Sequence, residues 1–529
     1  MAEGKEYDVT HVADHETLAR IAVALEVQAG VSTWPTFLAN KGEYDALSIE
    51  AWIRQGVDGK FYGVEFTTGN ATAGTKVGDN AAMANPVPWT LLKEGSDPYR
   101  GMGPFRYWLV NGYVDADGTP HVTAIQGDGM FALDGSNGDV WVLTPTLYFR
   151  EYVANGVWGL WLSDAPHVGY ESQPGAVLPS GKRRPFMLYA KYPMTLDTDG
   201  VPRSKSGGTL KRYVSHDSLV ALCKKRGEGY AAFNSTDDWY MKATFLVKYA
   251  TKDMQTVFAG CSGHTEQTPV TVSATGKAQV TIKKSVADLW PVGSSVMVGT
   301  TTAASPDRGG TTAHDLCEGA NILSKAADGD NVTLTLDCAP FDSVAGQIVS
   351  TCPWNPGACD ALGGDGSPTS CTSGREPWCM QGIERGHGAY EAMGNVLLYS
   401  EGEGWLVYVN PDSANEKAAA LAEGAKLAGG FPGPSAEGWN YGTYATTSCG
   451  LMLNQGTGAS TTTGLADGNY KVADTATGLR EWLSVGNLWY WGNFGPFYVN
   501  GGYGAGDAGW VICSRLSANG RSFRGEAAA

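Results

Sequence analysis

Between Trp489 and Trp510, eight aromatic residues occupy 22 positions, interleaved with glycine and asparagine and interrupted by a single charge, Asp507. Rings carried on short turns give large, stiff contact area at low entropic cost, which is the chemistry of recognition rather than of bond making. Glycine turns expose backbone to water, so the eight rings are not all expected to be buried. Trp482, Trp489, Phe497 and Leu516 recur at intervals that suit a core. Tyr490, Trp491, Asn493, Phe494, Tyr498, Tyr503, Asp507 and Trp510 fall between them, beside glycines, and are expected to point outward.

Other chemistry finds less support. Gly504, Gly506 and Gly509 spell GxGxxG, but a dinucleotide site needs a helix after the loop, and WVICSRL reads as a strand. Asp115/Asp117/Gly118, Asp197/Asp199/Gly200 and Asp328/Asp330 lack the closing glutamate of a calcium loop and are read as β-turns. The histidines form neither HExxH nor a close pair, and no GxSxG elbow is present. Ten cysteines include no Cys-x2-Cys pair, so buried or free thiols are expected rather than a metal site. No catalytic residue, metal or cofactor is assigned, although a carboxylate pair drawn from distant segments stays open.

A net charge of −16, without a dense basic cluster, disfavours nucleic acid as a partner. No apolar run reaches the roughly 18 residues of a membrane span. The N-terminus, MAEGKEYDVTHVADHE, lacks the pattern of a signal peptide. Synthesis in the cytoplasm is expected, with any extracellular role reached by another route, such as release with a virus particle.

The positioning elements are mostly strands, as 71 glycines and few charges suggest. Residues 1–110 read as a separate mixed module for attachment or oligomerisation, with a helix capped by Asp14 and ended by Gly30, another over Leu47 to Trp52, and the strand FYGVEFTT. Residues 111–261 begin with strands in YWLVNGYV, HVTAI, DVWVLTPTLYFREYV, VWGLWLSD and PFMLYAKY. Two helices follow, one capped by Ser215 and stopped by Gly227, the other opened by a Ser235/Asp238 capping box with Trp239, Ala243, Leu246 and Ala250 on one face. Residues 262–352 alternate Thr/Val strands with Gly/Asp/Ser turns and read as an inserted β-domain, a small barrel or sandwich. Residues 353–529 resume the mixed pattern.

Four segments carry a resemblance: VWVLTPTLYFREYV with the following LWLSDAPHVGYESQPGAVLPSGKRRPFMLYAKY; TDDWYMKATFLVKYATKDMQTVFAG; GREPWCMQGIERGHGAYEAMGNVLLYS; and LSVGNLWYWGNFGPFYVNGGYGAGDAGWVICSRLS. In this order they resemble the C-type-lectin-like ligand-binding proteins of phage tails, including the variable proteins of diversity-generating retroelements, and their relatives the formylglycine-generating enzymes. The resemblance implies an α+β, C-type-lectin-like fold carrying the β-insert and the N-terminal module. Its frame would be Gly486, Trp489, Gly492, Gly495, Phe497, Arg515 and Leu516, and it adds Asn500 to the ligand-facing set. Val396-Leu397 replaces the usual aromatic after Gly394-Asn395, and Cys513 stands alone where the enzyme branch carries two close cysteines.

The expected function is therefore a phage tail or tail-tip receptor-binding protein located in the virion. Its partners would be a bacterial surface protein or glycan and other tail proteins. A homo-oligomer is expected, a trimer being one form, because avidity offsets weak single sites. An oxidase or glycan-cleaving tail enzyme, and a purely structural virion protein, are the alternatives.

Overall fold

Alternation of apolar and polar residues makes strand the commonest regular element of this chain, and one long helix supplies the element around which the sheets assemble. The computed structural model describes residues 34–417 and 420–521. The helix expected between Asp14 and Gly30 lies outside them. The fold is α+β and sheet-rich, 36 % strand against 11 % helix.

The helix Ser235–Tyr249 is buried along its whole length, so its four charges must find partners inside the protein. Asp237 accepts from Asn519 Nδ2 at 2.8 Å, and Asp238 meets Lys242 at 2.6 Å and Arg385 at 3.3 Å. Lys248 lies between Asp97, at 2.8 Å, and Asp365, at 2.6 Å. The N-cap is Asn234, whose side chain accepts from the amides of Thr236 and Asp237, both at 3.0 Å. The Ser235/Asp238 box does not form, because Asp238 is drawn into ion pairs and Ser235 N donates to Asn395 Oδ1. Nor is there a single apolar face, since every face of this helix is covered. The helix His216–Arg226 starts at Ser215, which caps Ser218 N, and stops at Gly227, whose φ of 148° suits glycine alone.

A five-stranded sheet packs on the buried helix, in the order Glu171–Ser172, Tyr148–Ala154, Val157–Ser163, Tyr62–Thr67, Thr75–Gly78. Tyr62, Val64 and Phe66 enter the same core as Trp158, Leu160 and Leu162. The boundary expected at residue 110 is thus no break, because the alternating FYGVEFTT segment supplies an interior strand of the main body. A six-stranded sheet runs Ala231–Ala232, Leu516–Ser517, Met187–Ala190, Asp139–Thr144, Trp108–Val114, Pro120–Ile125, so residues near the C-terminus sit between strands from the first half.

Residues 267–351 pair only among themselves as named strands. Their six-stranded sheet has Gln267–Pro269 and Gln279–Lys283 at its ends, and the Val272–Thr281 bridge joins those ends into a small barrel. Asn331–Leu336 alternates threonine outward with Val332, Leu334 and Leu336 inward, the period of two that a one-sided strand requires. The strand Cys317–Asp328, unmarked by any such alternation, bends through bulges to pair on both sides. All ten cysteines are free thiols.

The last sheet is built on the strand Tyr390–Glu401, flanked by Leu406–Val409 and Thr477–Val485. Beyond Thr477–Val485 come Gly495–Asn500, Asn469–Lys471 and Gly438–Asn440. Among the described residues, no helix is long and apolar enough to cross a membrane.

Candidate ligand-binding face

One charged network and one neutral hydrogen-bond network hold the aromatic segment in place. Glu391 accepts from Arg515 at 2.8 Å and forms an ion pair with Arg385 at 2.9 Å, all three nearly sealed from water. Burial alone would raise this carboxyl, but the two guanidiniums outweigh it and hold Glu391 down at about 2. Arg515 also donates to the carbonyls of Ala190 and Glu384, tying the C-terminal strand to the centre of the molecule. Asn395 bonds Ser235 and the Asn410 carbonyl, so Gly394-Asn395 serves the fold; Gly394 lets the backbone lie against Ala232, where a Cβ would come 2.6 Å from its methyl.

From this base the chain makes an irregular turn, 486–494, then the strand Gly495–Asn500, then a second loop, 501–511. Trp491 is 50 % exposed and Asp507 is exposed, while Tyr490, Asn493 and Tyr503 are half-buried. Phe494, Tyr498, Asn500 and Trp510 are buried, which corrects their expected outward orientation. Trp489, read as core, is instead 47 % exposed. The reason is geometric. A strand alternates between solvent and core only when one face is wet, and Gly495–Asn500 is covered on both. Trp489 and Trp491 stand in the turn, where no such period applies.

Tyr498 is enclosed by other aromatics. Its ring centre lies 5.4 Å from Tyr490, 5.7 Å from Trp439 and 5.9 Å from Tyr390. Asn500 Nδ2 donates to the hydroxyls of Tyr390 at 3.1 Å and Tyr498 at 3.2 Å. Burial raises both phenols well above their usual range, so they stay protonated at neutral pH. Tyr490 covers this cluster and Tyr503 sets an edge against Tyr390 at 5.6 Å, leaving both half-open to solvent. Tyr470 packs on Trp439 at 5.3 Å and bonds Glu437 at 2.5 Å.

The exposed rings are fixed by what lies beneath them. Trp491 rests on Gly263 and Gly374; a Cβ on Gly263 would overlap the indole, and one on Gly374 would lie 2.7 Å from it. Trp489 stands edge-on to Trp510 at 5.2 Å, and the Arg308 guanidinium of the β-insert lies 5.6 Å and 5.5 Å from their centres. Asn493 accepts from Tyr441 Oη at 2.7 Å, and Asp507 accepts from Gly504 N at 2.7 Å. Of the expected frame, Phe497, Arg515 and Leu516 are buried; Gly495 adopts φ 153° against Asp467, and Gly492 has open space around it.

Trp439, Tyr441 and Tyr470 border the face and buried Tyr390 and Arg308 lie beneath it; none of the five was marked in the sequence. They come from three separate regions, and only the run WNYGTY at Trp439, again aromatics among glycine and asparagine, carried a comparable signal. The GxGxxG glycines lead into a strand, Ile512–Cys513. The Asp115 and Asp197 motifs are turns whose carboxylates accept local amides. Among the described residues, no group of three or more His, Cys, Asp or Glu side chains is arranged to hold a metal ion. Compared with known proteins, the chain matches no family model and no curated protein.

Proposed function

We propose that this chain is a recognition protein of a phage tail, binding a bacterial surface ligand through its C-terminal aromatic face. The observation that carries the proposal is the pair Trp489 and Trp491, each about half exposed, the first set edge-on to Trp510 and the second lying on Gly263 and Gly374. Two large aromatic rings left in water within one turn make an apolar patch of the residue type enriched among binding anchors. Tyr490 and Tyr503 widen the surface, and Asn493 and Asp507 supply polar groups at its edge. The resemblance of the segment to lectin-like variable regions supports the virion setting and the α+β lectin-like form. Oligomers, a trimer among them, would turn weak single contacts into stable adsorption.

Replacing Trp489 and Trp491 together by alanine tests this. Loss of adsorption to host cells, by a variant that still unfolds in one cooperative transition lowered only by the packing the two rings lose, is the expected result. Full adsorption by a folded double variant would refute it.

A further inference from the structure

A cavity of about 610 Å³ opens on the outer side of the five-stranded sheet. That volume lies in the range of roughly 300–1,000 Å³ typical of small-molecule sites. One of its lining residues, Trp161, pairs across the sheet with Gly63 on one side and Arg150 on the other. Gly63 and Gly78 provide a bed for its indole: a Cβ on them would come 2.6 Å and 2.5 Å from ring carbons. No side chain therefore intervenes between this ring and the neighbouring backbone. A wall is made by Phe61, His167 and Tyr170, with ring centres 4.3 Å and 5.5 Å from Phe61. Phe61 is 37 % exposed and Val168, at the tip of the loop, is fully exposed.

Two polar groups complete the lining. Arg150 has no ion pair among the described residues; its guanidinium lies 5.8 Å from the Tyr152 ring. Asp79 holds the Phe61 amide through Oδ2 at 2.8 Å. A donor fork and an acceptor carboxylate thus border an aromatic surface.

We propose that this cavity is a second binding site, for a pyranose ring of a glycan. One face of a pyranose is a plane of polarised C–H bonds, which matches the electron-rich face of an indole. Its rim is a set of hydroxyls that both donate and accept, which matches Asp79 and Arg150. A nucleotide would bring phosphate toward Asp79 in a chain of net charge −16. An aliphatic ligand would leave both charged groups desolvated and unmatched.

The experiment is a printed array of bacterial and plant polysaccharides, followed by calorimetric titration of the oligosaccharide from the best responder. Trp161→Ala is expected to weaken that affinity about tenfold or more, the scale of losing one aromatic anchor. Arg150→Ala and Asp79→Asn, at more exposed positions, are expected to weaken it without altering the unfolding curve, which keeps the test valid if Trp161→Ala misfolds. The Trp489→Ala/Trp491→Ala protein should bind the sugar normally. An array without a saccharide response overturns the proposal. So does binding that survives the Arg150 and Asp79 substitutions, or that is lost only in the Trp489/Trp491 variant.

Discussion

Gly263→Ala isolates the seating of Trp491. No left-handed backbone is needed at Gly263, so the added methyl acts through space alone. It would overlap the indole and force the ring off its bed. A fully covered tryptophan buries about 150–250 Å². Trp491 keeps half its surface exposed, so about 100 Å² of contact is at stake. At about 25 cal/mol per Å² this is worth about 2.5 kcal/mol at most, and less where the ring finds a new resting place. The assay is a double-mutant cycle by urea unfolding, with Gly263→Ala made in the wild-type and Trp491→Ala backgrounds. The expected cost is about 1–2.5 kcal/mol in the first and near zero in the second. An equal cost in both backgrounds would show that Gly263 is needed for some other contact, and the rigid seating of Trp491 would fall with it.

Tyr498→Phe should cost about 1 kcal/mol, one buried hydroxyl's bond with Asn500, and leave adsorption intact. Tyr498→Ala should cost about 3–5 kcal/mol, as for a large core side chain; adsorption lost by a fully stable Tyr498→Ala would contradict the burial. Glu391 predicts an acid-dependent term. Its carboxyl is held below its ordinary value of 4.5, at about 2, so its contribution is present above pH 4.5 and lost as pH falls toward 2. The amount is about 3 kcal/mol, and Glu391→Gln should flatten the stability profile in that window. Lys248→Met should destabilise by about 3–5 kcal/mol, because Asp97 and Asp365 would be left buried without their cation; a neutral result in urea unfolding would show that the pair is readily hydrated.

How far the sequence spoke depended on whether a signal was local. The helix His216–Arg226 was legible at both ends, since Ser215 and Gly227 act through their own backbone. The Thr/Val alternation of Asn331–Leu336 was legible for the same reason. Asn234 rather than Ser235 caps the buried helix partly for a non-local reason: Arg385 pairs with Asp238 and Asn395 accepts from Ser235 N, both far along the chain. At the aromatic face, the concentration of rings was visible but their directions were not. Tyr498 is buried by Tyr390 and Trp439, and Trp489 is supported by Arg308, and none of these partners is adjacent in sequence.

The β-insert leaves and re-enters the main body through neighbouring strands, Gln267–Pro269 and Ile348–Thr351, which pair with each other. A chain with its exit and entrance side by side can carry such an excursion without opening the host sheets. Yet Arg308, deep within that excursion, reaches Trp489 and Trp510. The excursion therefore forms one bank of the aromatic face, and swapping it for a different loop would reshape that face while every C-terminal residue stayed the same.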